Sequence, residues 1–224
     1  MLDSRFPRIP GDMGNPQTWD FPVRYQVVQG ASPDKVVRQG ATGTQAAFIK
    51  GAKALVAAGV DGITTTCGFL SLFQDQLSAA VGVPVASSSL MQVAMVNATL
   101  PPGKRAGILT ISGSSLQKTH LAAANVPANT PIGSTAGGQE FTRAILTDAP
   151  TLDVPLARAD NVAAARALVA DHPDIGALVL ECTNMTPYAP DIRQATGLPV
   201  YSVVSFINWF QAGLAPKNYA GRTD

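Results

Sequence analysis

An internal repeat is the feature that most limits what this chain can fold into. The chain has two cysteines, and a shift of 115 residues carries Cys67 onto Cys182, Gly82 onto Gly197, Pro84 onto Pro199, Val85 onto Val200 and Ser87 onto Ser202. Each cysteine closes an apolar, strand-like run, "DGITTTCG" or "GALVLECT", and 17 residues after each comes a proline, inside "VGVPVAS" or "TGLPVYS". A supersecondary unit that recurs with this spacing describes two similar α/β lobes, with one thiol at the end of an equivalent strand in each.

The rest of the chain alternates in the same way. Phe48, Ala52, Leu55 and Val56 mark one face of a helix from Thr44 to Ala58, which Gly59 stops. A strand Gly62 to Thr66, a helix carrying Leu72, Phe73, Leu77 and Ala80, and a strand Pro84 to Ala86 follow. Further on, strands are expected at Arg105 to Ile111, near Ile132, at Ile175 to Glu181 and at Pro199 to Val204. Helices are expected at Ser114 to Ala124, Gln139 to Leu146, near Asn161 to Ala170, through Ile192, and at the end of the chain. Strands separated by helices of this length imply parallel pairing. The expected fold class is α/β, with two pseudosymmetric lobes, each a parallel sheet flanked by helices, and the active site in the cleft between them. Residues 1–100 with 206–224 are assigned to the first lobe and 101–205 to the second. The opening "MLDS" leaves only a couple of residues for a first strand, so the start is expected to be truncated or that strand unusually short.

Composition excludes several classes. Hydrophobic residues are 46% and charged residues 14% of 224, with a formal charge of +1 and no cluster of Lys and Arg to track phosphates. Nucleic acid is therefore not an expected partner. Residues 76–103 carry no charge, but Pro84, Ser87, Ser88, Ser89, Asn97 and two further prolines break a membrane span. "MLDSRFPRIPGDMGNP" has no apolar signal core, and a cytoplasmic protein with reduced thiols is expected. "GATG" follows no convincing strand and "GKR" lacks the Ser or Thr of a P-loop, so neither reads as a nucleotide site.

The chemistry then rests on the thiols. A buried cysteine is commonly an inert small apolar side chain, but the matched positions of Cys67 and Cys182 place one thiol on each side of a shared cleft. Neither histidine supports a metal site or a Ser-His-Asp arrangement. His172 lies at the start of its strand, away from the cleft, and His120 sits in a helix without a paired base. Thr66, Gly68 and Phe69 beside Cys67, and Thr183 and Asn184 after Cys182, are candidate substrate-binding positions. The backbone N–H groups of the turns after each cysteine are expected to bind an anion and lower the thiol pKa. A thiolate on one face of a carbon and a thiol on the other would invert that centre.

The runs "TTTCGFL", "LPPGKRAGILT", "LVLECTNM" and "GLPVYSVVSFINW" stand in the order of landmarks of the aspartate/glutamate racemase superfamily. That superfamily also includes hydantoin racemases, arylmalonate decarboxylases and maleate isomerases, and the chain resembles it over nearly its whole length. The resemblance implies two pseudosymmetric lobes, no cofactor or metal, a small carboxylate as partner, and often a homodimer. Racemases of this kind use one cysteine per lobe, matched by Cys67 and Cys182, whereas the decarboxylases keep one. The chain departs from amino-acid racemases at Gly68-Phe69, where Asn-Thr is typical, and at Asn184, where glutamate racemases place histidine. Their Asp-Ser-Gly turn is replaced by "PGDMGNP", in which Asp12 and Asn15 are loosely comparable.

The expected function is a cofactor-independent racemase or epimerase of a small carboxylate, such as an amino acid or hydantoin, working by two-base proton transfer. The alternative is a decarboxylase or cis-trans isomerase of a small diacid with Cys182 as proton donor or nucleophile; Phe69, which makes the pocket less polar, leans that way. A two-lobed ligand-binding module of the periplasmic type would require a signal peptide. Ser112 and Gly113, in "LTISGSS", are anion-donor candidates from the second lobe, with N-capping as the plain reading. Glu181 is expected on the strand face opposite Cys182, in a structural or surface role. Trp19, Phe21 and Tyr25 are expected to pack on the first lobe or to cover the cleft.

Overall fold

A computed structural model, which describes residues 1–218, arranges six strands in two parallel sheets among those residues. β1 (Ile63–Thr64) pairs with β2 (Val85–Ala86). β3 (Arg105–Thr110), β4 (Ile132–Ser134), β5 (Ile175–Leu180) and β6 (Val200–Tyr201) form the larger sheet in the order β4-β3-β5-β6. Parallel neighbours require crossover connections, and the intervening helices supply them.

The internal repeat holds at the level of strand register. Ile63 pairs with Val85 and Thr64 with Ala86; Leu178 pairs with Val200 and Val179 with Tyr201, which are the same positions moved on by 115 residues. Between the strands each half builds a six-residue 3-10 helix, Gly68–Phe73 or Thr183–Tyr188, which runs into an α-helix, Gln74–Ala80 or Ala189–Thr196. The two units end differently. Gly197 takes the left-handed conformation at φ 71° and closes its helix, whereas Gln74–Ala80 ends on an extended Val81.

β3 and β5 form the centre of the core. Ala106, Ile108, Leu109, Ala177, Leu178, Val179 and Leu180 are fully buried, as expected of a parallel sheet covered on both faces. Helix Val154–Asp171 lies along the larger sheet; it is capped by Asp153, whose carboxylate accepts from Leu156 N–H at 3.0 Å. A second cluster, Met13, Trp19, Ala86, Val203, Phe206 and Ile207, seats the closing helix Val203–Leu214. Trp19 belongs to this cluster, with its Nε1–H donating to Met13 O at 3.0 Å, and so does not cover the cleft.

Several boundaries differ from the sequence expectation. The helix expected from Ser114 begins at Lys118, because the hydroxyls of Ser112, Ser114 and Ser115 bond one another and hold residues 112–117 as a turn. The helix expected near Asn161 begins seven residues earlier, at Val154, on its Asp153 cap. The strand expected from Pro199 to Val204 is two residues long, since Ser202 caps the following helix and takes the backbone out of the sheet. The opening strand reduces to one bridge, Leu2 to Val28. Of the first-lobe stretch 206–224, residues 219–224 lie outside the described residues. No described helix is long and apolar enough to cross a membrane.

Candidate active site

Both cysteines sit one residue before a 3-10 helix, at the C-terminal ends of β1 and β5, and they line the same cavity. That edge of a parallel sheet is where chains diverge and leave a crevice. The cavity is walled by Leu2, Phe6, Pro33, Val37, Thr66, Cys67, Phe69, Ile111, Ile145, Glu181, Cys182, Thr183 and Asn184. As it stands it is closed, with about 10 Å³ of room for a water's centre, roughly what a single water needs.

The two lobes are fastened to each other at the thiols. Thr183 Oγ1 donates to Thr66 O at 2.9 Å, and Ser89 Oγ donates to Leu180 O at 2.7 Å and Glu181 O at 3.1 Å. Leu2 N–H donates to Thr66 Oγ1 at 3.0 Å, which brings the start of the chain against the Cys67 side. Gly68 is not itself part of the wall. It lies against Glu181, and any Cβ there would overlap Glu181 Oε1 and the Glu181 carbonyl oxygen.

The surroundings of the two thiols differ. Cys67 Sγ accepts backbone N–H groups from Phe69 and Leu70, the first turn of its 3-10 helix. Cys182 Sγ donates to Asn184 Oδ1 at 3.6 Å. Asn184 Nδ2 in turn donates to Asp12 Oδ2 at 2.6 Å, and Arg8 pairs with Asp12 Oδ1 at 3.1 Å in a largely buried ion pair. This chain of contacts fixes the amide with its oxygen toward the thiol.

The thiol pKa values run against the sequence expectation. Both are raised, first by complete burial and then by the nearby Glu181 carboxylate; Cys67 adds to the effect on Cys182. The N–H donors after Cys67 do favour a thiolate, but desolvation outweighs them. Burial thus favours the neutral thiol at both positions, although the Arg8 charge acts the other way on Cys67.

Of the candidate positions, Thr66, Cys67, Phe69, Cys182, Thr183 and Asn184 come together at the cavity. Asn15, Ser112 and Gly113 are elsewhere. Asn15 caps the short Pro16–Thr18 helix, Ser112 bonds Ser115 at 2.8 Å, and Gly113 N–H donates to Ser134 Oγ at 3.1 Å. Glu181 is the clearest departure: it has no exposed surface and lines the cavity. The assigned strand β5 ends at Leu180, and although Glu181 N–H still bonds Leu109 O at 2.8 Å, residues 181 and 182 both line the same space. Leu2, Phe6 and Ile145 converge from distant stretches with no local signal of their own.

The sequence profile of the Asp/Glu/Hydantoin racemase family matches residues 39–209; the chain belongs to that family and is an enzyme of it. Dimethylsulfoniopropionate lyase of Durusdinium sp. clade D is 29% identical over 100% of this chain, which spans 76% of that relative. Dimethylsulfoniopropionate lyase 7 of Emiliania huxleyi (strain CCMP1516) is 30% identical over 95% of the chain, which spans 65% of that protein. Among solved structures, a mutant of arylmalonate decarboxylase in the sulfate ion associated form shares the fold with a TM-score of 0.62 at 17% identity, covering 100% of this chain and 93% of the other.

Proposed function

We propose that this enzyme removes the proton α to a carboxylate and does so as an eliminating lyase, acting on a 3-sulfonio carboxylate such as dimethylsulfoniopropionate. The observation that carries the reading is a closed, largely apolar cavity with two neutral thiols in it and no cationic side chain in its wall. A dimethylsulfonio group is a cation without N–H donors. A ring such as that of Phe69 suits it better than a set of hydrogen-bond acceptors would, while the Phe6 ring already carries the Arg8 guanidinium at 4.3 Å. Its charge also supplies what the thiols lack, because a cation beside a buried thiol stabilises the thiolate. The names of the relatives support the same substrate class.

Cys67 is assigned as the base, since its sulfur faces two backbone N–H donors, whereas Cys182 has one, from Asn184, and donates its own S–H to the Asn184 amide oxygen. The Cys67 thiolate takes the proton from C2, the C2–H electrons form the C2=C3 bond, and the C3–S bond breaks with its pair on sulfur. Acrylate and neutral dimethyl sulfide leave, and the proton stays on Cys67 until it is released.

A second reading, two-base racemisation of an amino acid or hydantoin, is favoured by the presence of both thiols on one cavity. One experiment separates the two. The protein is incubated in D₂O with dimethylsulfoniopropionate and, separately, with aspartate, glutamate, hydantoins and substituted malonates; proton NMR and headspace gas chromatography follow the products. Acrylate with dimethyl sulfide is expected. Solvent exchange of an amino-acid α-proton that needs both cysteines, with no sulfide released, would replace the lyase reading by racemisation.

A further inference from the structure

Glu181 lies fully buried against both thiols, and the elimination just described gives it no task. Its Oε2 accepts Thr110 Oγ1–H at 2.7 Å from β3, while Oε1 is buried without a partner. Gly68 leaves room for that free oxygen, as any side chain there would fill its place. A buried carboxyl oxygen with no partner costs stability unless a ligand satisfies it.

Donors for a substrate carboxylate are scarce in this cavity. The wall contains no Lys or Arg, Asn184 gives an Nδ2–H to Asp12 and Thr183 spends its hydroxyl on Thr66 O, which leaves the Thr66 hydroxyl, itself an acceptor from Leu2 N–H, as the neutral oxygen donor beside the thiols. Yet negative charge grows on that carboxylate as the α proton leaves. We propose that Glu181 is a substrate-binding residue which, as a neutral carboxylic acid, donates a hydrogen bond from Oε1 to the substrate carboxylate. This rests on the reading that the cavity takes a carboxylate.

The titratable and charged groups around it fit a neutral side chain. Cys67 and Cys182 face it from the two lobes; Asp12 stands behind Asn184 and is paired with Arg8. Thr110 and Ser89 are the hydroxyls at its carboxyl and carbonyl. Burial holds the Glu181 carboxyl up to about 7, so the acid form is a substantial share at neutral pH, and a bound carboxylate would push it further. The arrangement uses a buried acid as a donor to developing oxyanion charge.

The test compares the wild type with Glu181→Gln, which keeps a donor but cannot titrate, and Glu181→Leu, which keeps bulk without one. Acrylate binding is measured by calorimetry, and kcat/KM for dimethylsulfoniopropionate is measured against pH. Glu181→Gln should stay within about 10-fold of wild type and Glu181→Leu should lose about 100-fold in kcat/KM together with acrylate affinity. The wild type should lose activity as pH rises through the Glu181 ionisation, and Glu181→Gln should lack that limb. Equal inactivity of both variants with acrylate still bound would make Glu181 a base. Equal activity with an unchanged pH profile would make it structural; either result overturns the proposal. Should Glu181→Leu fail to fold, difference infrared of wild type against Glu181→Gln decides, since a protonated carboxyl band that ignores acrylate overturns it. A wild type that releases no sulfide sinks the lyase reading, while acrylate binding and the infrared band still report on Glu181.

Discussion

The same unit of chain is built twice in this protein, and the two copies carry opposite chemistry into one cavity. In the first, Thr66, Cys67 and Phe69 present a hydroxyl, a thiol and a ring, with Gly68 standing back from the wall; in the second, the corresponding Glu181-Cys182-Thr183-Asn184 presents a carboxyl, a thiol, a hydroxyl and an amide. Backbone register is preserved to the residue across the repeat. The scaffold is not: the first copy hangs on two strands and the second on four. The fold thus sets where two thiols stand, while side chains beside them divide the cavity into an apolar half and a polar half. Symmetry of backbone with asymmetry of side chain suits a reaction in which one thiol works as a base and the other does not.

The largest effect expected from breaking that comparison comes from the thiols. Cys67→Ser should lower kcat for sulfide release by at least about 1,000-fold, the loss of a general base, while Cys182→Ser should cost about 10-fold. Losses of equal size in single-turnover measurements would mean that the two halves are chemically equivalent and would favour the two-base reading. The next effect belongs to Gly68. Gly68→Ala forces a Cβ into Glu181 and should cost roughly 2 kcal/mol of stability as overpacking and about 100-fold in kcat/KM. Gly113→Ala, whose Cβ would meet Ser134 at an ordinary 3.4 Å, should leave both nearly unchanged. Denaturant titration and steady-state kinetics read the pair, and equal effects would disprove a special role for the first glycine.

The two halves also differ in how far the sequence discloses them. The repeat was legible because Cys, Gly and Pro recur at one spacing, and turn residues and strand ends keep their positions whatever packs around them. Thr66, Phe69, Thr183 and Asn184 followed from adjacency to the thiols. Glu181 did not, because alternation was carried one residue past the end of the assigned strand β5. The direction of the thiol pKa values also escaped, since it depends on burial by Leu2, Phe6 and Ile145, which arrive through tertiary packing from other parts of the chain. Ser112 and Gly113 carried a strand-to-helix signature that the structure uses for a turn.

The polar half makes stability depend on pH in a way the apolar half cannot. Glu181 is raised from 4.5 to about 7 on folding, so the folded state holds a proton that the unfolded chain gives up. The stability this contributes is complete below pH 4.5 and is lost as pH rises through about 7, on the order of 3 kcal/mol in all. Urea melts of wild type against Glu181→Gln between pH 4.5 and 8 should show a slope in the first that is missing from the second. Parallel curves would place the ionisation elsewhere.

The smallest of these effects tests the seam between the halves. Thr183 is buried, and its hydroxyl is the side-chain bond from the second copy's active-site turn to the first copy's Thr66 carbonyl. Thr183→Val keeps the volume but leaves that carbonyl without its partner, which should cost about 1 kcal/mol. Thr183→Ser restores the hydroxyl and should recover most of it. If the bond serves only to hold the fold, Thr183→Val lowers the urea midpoint and leaves the difference between Cys67→Ser and Cys182→Ser intact. If it keeps the two thiols in fixed relation, the same variant also narrows that difference, because a looser seam lets either sulfur approach the substrate. Measuring the cysteine pair in the Thr183→Val background therefore asks whether the asymmetry resides in the side chains beside each thiol or in the alignment of the two lobes.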